Sequence, residues 1–80
     1  MLRLSNIKRE HGIISANYEP EASGEFGFVA VNISTGDVVE EKRTSLDGSL
    51  GMYLGHAAQS LRRDLKYKEQ LPETYLVMWY

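Results

Sequence analysis

The hydrophobic period of this chain changes twice, and that change restricts its fold more than any other feature. Through Thr44, apolar residues recur at every second position or in short β-branched runs. From Leu50 onward Leu54, Ala57, Ala58, Leu61 and Leu65 follow at spacings of three and four, and from Thr74 the chain is again apolar or aromatic at nearly every position. A period of two is that of a strand with one face buried, whereas spacings of three and four draw an apolar stripe along a helix. The expected fold is therefore α+β, a single two-layer domain over residues 1–80 with element order ββββαβ. One helix packs on one face of a curved, antiparallel-rich sheet.

The local signals give each element a place. Ile14, Ala16 and Tyr18 alternate with Ser15 and Asn17, and His11-Gly12 supplies the turn of a first hairpin beginning near Leu4. Phe26 to Ile33 is almost continuously apolar, which predicts a central strand covered on both faces. Ser34-Thr35-Gly36-Asp37 turns into Val38 to Thr44, whose charged outer end predicts a strand near a sheet edge. The acidic Glu19 to Glu25 stretch predicts the longest loop. After Gly48 the spacing predicts a helix of roughly 18–20 residues, capped by Asp47 or Ser49. Pro72 ends the helical region before a buried last strand from Thr74 to Tyr80.

An 80-residue chain has room for one core, because a domain of that size buries only about 60–65% of its unfolded surface. With no cysteine, disulfides, thiolate catalysis, iron–sulfur clusters and zinc fingers are all excluded, which raises the weight of self-association as a source of extra stability. A single helix covers one sheet face, yet the Phe26 to Ile33 and Tyr75 to Tyr80 runs look apolar on both. A homodimer closing the second face is expected, with Phe28, Tyr75, Val77, Trp79 and Tyr80 as its interface candidates.

Charges at Arg3, Lys8 and Arg9 interrupt the opening residues, and no window approaches a membrane span, so a cytoplasmic protein with no membrane association is expected. The Asn32-Ile33-Ser34 sequon has no use in that setting. Nine Lys+Arg against eleven Asp+Glu is the reverse of a nucleic-acid binder's balance. The local excess at Arg62, Arg63, Lys66 and Lys68 also fits the negative end of a helix dipole.

The residues that carry chemistry are sparse. Gly48, Gly51 and Gly55 crowd the helix start, but Asp47-Gly48-Ser49-Leu50-Gly51 lacks the Lys and the spacing of a phosphate-binding loop, so small residues for close packing explain them better. His11 and His56 lie 45 positions apart with no ligand-spaced partner, so neither a metal nor another cofactor is expected. Glu40 and Glu41 are adjacent in a strand and point apart, which excludes them as an acid–base pair. No serine sits in a nucleophile elbow, and no catalytic residue is assigned. The outer face of the helix, with His56, Gln59, Arg62, Arg63 and Lys66, is the remaining candidate binding surface.

The opening Leu4-Ser5-Asn6-Ile7-Lys8-Arg9, the Thr35-Gly36-Asp37-Val38 turn and the closing Pro72-Glu73-Thr74-Tyr75 through Trp79-Tyr80 resemble a family of small bacterial proteins of unknown function. That resemblance implies a bacterial cytoplasmic origin and transfers no functional residue. The function expected from the residues is a small non-catalytic protein-interaction or accessory module that self-associates. The alternative is a nucleic-acid-associated protein using the basic end of the helix, and the third is a small ligand-binding protein or enzyme.

Overall fold

Two consecutive residues with positive φ, His11 at 54° and Gly12 at 79°, join β1 (Leu2–Glu10) to β2 (Ile13–Pro20). That pair of left-handed conformations matches the twist of a two-residue hairpin, which places the strands in antiparallel register. The computed structural model describes residues 1–78. β3 (Gly27–Asn32) and β4 (Val38–Lys42) form the second hairpin, and β5 (Thr74–Val77) crosses back to pair with β1. The sheet order is β4-β3-β2-β1-β5 with every pairing antiparallel. Helix α1 (Met52–Ser60) continues through a π-helical turn, Leu61–Leu65. The ββββαβ order and the two-layer α+β architecture are those expected from the periods.

Register decides which side chains meet. Leu2 and Leu4 of β1, Ile14, Ala16 and Tyr18 of β2, and Val29 and Val31 of β3 share the helix side, and all are fully buried. Leu54, Ala57, Ala58, Leu61 and Leu65 close over them from above. In β1 the phase changes midway: Ser5 pairs with Asn17 and Lys8 with Ser15, so Asn6 and Ile7 together oppose Ala16 alone. This bulge, with Asn6 at φ 51°, removes Asn6 from the buried phase and turns Ile7 toward the core instead. Gly27 is required by packing as well, since a Cβ there would run into the Tyr18 ring and lie 2.6 Å from the Lys42 carbonyl oxygen.

Several expectations change. The last strand, expected to be buried, is a half-exposed edge strand over Thr74–Val77; β2 takes Glu19 and Pro20 from the expected loop, and the longest irregular stretch is 66–73; the helical region, Met52–Ser60 with its π turn Leu61–Leu65, is shorter than expected. The helix begins at Met52, because Gly51 takes a left-handed φ of 61° and breaks the run, which leaves Leu50 86% exposed and outside the core. The second face of the sheet is not apolar. Phe28 and Ala30 lie on it, but their cross-strand partners are Asn17, Lys42, Ser15 and Glu40, and the neighbouring strands add Arg3, Ser5 and Lys8. The apolar run of β3 reflects an ordinary alternation in which the outward positions happen to be Phe and Ala. In β5, Tyr75 and Val77 pack against the core on the helix side while Leu76 faces outward. Phe28 and the pair Tyr75 and Val77 thus occupy opposite faces, and Trp79 and Tyr80 lie outside the described residues.

Candidate functional site: a buried carboxylate clasp and the groove between helix and edge strand

The most polar feature of the interior is Asp47, which ends a 3-10 turn (Ser45–Asp47) and is only 4% exposed. Its Oδ2 accepts hydrogen bonds from the Tyr18 hydroxyl at 2.7 Å, the Thr44 N–H at 2.9 Å and the Thr44 hydroxyl at 2.8 Å. Its Oδ1 accepts the Leu54 N–H at 2.6 Å. Burial alone would raise the pKa, but the donors from Leu54, Tyr18 and Thr44 outweigh it and hold the carboxyl below the usual carboxylate range. The same contact, added to burial, pushes the Tyr18 phenol well above its ordinary value. With its four donors all supplied by the chain, this carboxylate fastens the first turn of α1 to β2. Its role is structural, and the cap foreseen at Asp47 acts on Leu54 across the Gly48–Gly51 loop.

A concavity of about 690 Å³ lies between α1 and the end of β5. From the helix side it is lined by Met52, Gly55, His56, Gln59 and Arg63, and from the strand side by Val77 and Met78. Apolar side chains gather exposed at its rim: besides Leu50, Met52 is 51% and Met78 55% exposed. Tyr75 ties β5 to the helix end, its hydroxyl donating to Asp64 Oδ2 at 3.3 Å; burial and then Asp64 push its phenol pKa up.

The five helix-surface candidates divide. His56, Gln59 and Arg63 line the groove. Arg62 lies on the opposite flank near the β3–β4 turn, with its Cδ 3.9 Å from where a Cβ on Gly36 would stand and its Nε buried without a hydrogen-bond partner. Lys66 sets its ammonium 4.9 Å from the Tyr67 ring centroid, and its carbonyl accepts a 2.8 Å hydrogen bond from Arg9 Nη1. The basic residues therefore do not form one face, and part of the charge at this end serves the helix carbonyls. Among the described residues, no three of His, Asp and Glu gather at metal-binding distance.

Sequence reasoning missed the rim formed by Leu50, Met52 and Met78. The usable signal was Gly51, which separates Leu50 from the helical stripe. The two sheet edges also differ. β4 is exposed throughout, carries Glu40, Glu41 and Lys42, and its register with β3 is interrupted between Ala30 and Val31. β5 has no charged residue from Thr74 to Met78. No described helix is long and apolar enough to cross a membrane. No family model, no curated protein and no solved structure matches this chain.

Proposed function

We propose that this protein is a small non-catalytic interaction module that self-associates and works through the groove between α1 and β5. The observation that carries the reading is the exposed apolar rim of Leu50, Met52 and Met78 around that concavity. Side chains of this kind, set in a groove with a few polar groups such as His56, Gln59 and Arg63, are suited to a polypeptide surface. The buried carboxylate has its acceptor positions filled by the fold, which favours binding over catalysis. The absence of cysteine fits a reducing, cytoplasmic setting. Light scattering after size exclusion, across micromolar concentrations, tests the reading: a mass near twice 9.1 kDa is expected, and a monomer at every concentration refutes self-association.

A further inference from the structure

We infer that the groove beside β5 has an occupant in its own chain: the indole of Trp79 seats on α1 at Gly55 and closes the groove until a partner displaces it. The inference rests on the proposed reading of the groove as the working surface and deepens it by naming what regulates access.

The direction of β5 along the helix supplies the first reason. Tyr75 lies level with Asp64, to which its hydroxyl donates. At the other end Val77 pairs with Leu2, and the amine of Met1 donates to Glu21 Oε1 at 3.1 Å. The same Glu21 accepts the Tyr53 hydroxyl through Oε2 at 2.9 Å, so the first turn of α1 stands at the level of Met1. β5 therefore runs from the end of the helical region toward its start. A strand advances about 3.3 Å per residue and a helix about 1.5 Å, so every two strand residues pass about four to five helix residues. Counted from Tyr75 at Asp64, Val77 comes level with Ser60, and position 79 comes level with Gly55. Ser60 and Val77 do line the groove together.

The strand period supplies the second. Tyr75 and Val77 pack on the helix side while Leu76 faces outward and is 49% exposed. Continued by two residues in extended form, the chain turns position 79 toward the helix as well.

Gly55 supplies the third. It stands between Met52 and Gln59 on the exposed stripe of α1 that lines the groove. Glycine inside a helix lowers its stability, and among the described residues a Cβ on Gly55 meets nothing within 4 Å. A notch left open by residues 1–78 and level with position 79 fits a flat ring. Its surroundings suit an indole. Met52 and Met78 bring thioethers for sulfur–aromatic contact, and the Gln59 amide oxygen can accept the indole N–H.

Trp79 is the sole tryptophan, so its fluorescence reports on the site directly. Emission of the native chain is expected to the blue of N-acetyltryptophanamide in water, unchanged on dilution from micromolar to nanomolar. Gly55→Leu fills the notch with a good helix former; emission is expected to shift to the red while circular dichroism stays the same. A groove that is mostly occupied lowers apparent affinity by its free fraction, so Trp79→Ala is expected to tighten self-association about tenfold, read by light scattering. Native emission like that of the free amide at every concentration, or no red shift in Gly55→Leu, overturns the inference. Blue emission found only where the mass is that of a dimer, or weaker association in Trp79→Ala, also overturns it and puts the indole in the groove of a second copy. Blue emission from a chain that stays monomeric in both native and Trp79→Ala forms refutes self-association and leaves Trp79 seated in its own groove.

Discussion

Replacing Asp47 with Asn keeps the shape of the side chain and removes its charge, which isolates what the carboxylate contributes. In the native protein Oδ1 receives the Leu54 N–H and Oδ2 receives three donors, from Tyr18 and twice from Thr44. The amide oxygen of Asn can retain the Leu54 bond. Its NH2 group then faces Thr44 N–H, a donor that cannot reverse, while the two hydroxyls can rotate to accept. Hydrogen bonds to a charged group contribute about 1.5–3 kcal/mol, and a buried donor left unpaired costs about 1–3 kcal/mol. The expected loss is about 2–4 kcal/mol, a large part of the roughly 4–12 kcal/mol available to a domain of this size. The midpoint of thermal unfolding should fall by about 10–25 °C. The pH dependence gives an independent check on the cause. Because the folded pKa of Asp47 is lowered, its stabilisation is fully present above the unfolded carboxylate value of about 3.9 and is lost as pH falls through the folded value. The gap between native and Asp47→Asn stability, measured by urea unfolding from neutral to acid pH, should therefore narrow on acidification. A loss below about 0.5 kcal/mol at neutral pH, within the range of ordinary surface changes, or a gap that does not narrow, would show that the carboxylate is not the clasp described.

Other substitutions probe other parts of the frame. Gly27→Ala places a Cβ against the Tyr18 ring and the Lys42 carbonyl, and should cost about 1–3 kcal/mol in denaturant unfolding. His11→Asn puts a residue tolerant of positive φ before Gly12 and should raise stability by about 0.5 kcal/mol in the same assay. Arg9→Ala removes the donor to the Lys66 carbonyl and should cost about 1 kcal/mol, with faster amide exchange at the end of the helix as the local readout. On the alkaline side, the stability supplied by neutral Tyr18 is complete below about pH 10 and is lost as pH rises toward its raised folded value. Tyr18→Phe should abolish that part of the alkaline decline.

The elements were legible wherever a local period carried them. Ile14, Ala16 and Tyr18 announced β2, and Leu54, Ala57, Ala58, Leu61 and Leu65 announced the helix stripe, because each pattern repeats within a few residues of itself. The errors arose where a neighbour in space decided the outcome. Leu50 fits the helical spacing, yet the left-handed Gly51 excludes it. Phe28 belongs to an apolar run, yet Asn17 and Lys42 beside it make its face polar. In the groove, His56, Gln59 and Arg63 could be placed together from the helix alone, whereas Val77 and Met78 could not be placed opposite them.

The sequence by itself determined the types of element, their order, and the one-helix, two-layer class, since periodicity is a property of adjacent residues and needs no fold to express it. It also determined that thiol chemistry was unavailable. The tertiary structure decided that β5 crosses to the β1 edge, that the bulge at Asn6 and Ile7 changes the buried phase, and that one edge of the sheet, β4, is charged while the other, β5, is not. The physical reason is that strand pairing joins residues far apart in the chain, Leu2 with Val77 for example, and many strand orders satisfy the same local patterns. Only the packed arrangement selects among them, and that selection creates both the clasp at Asp47 and the groove beside β5.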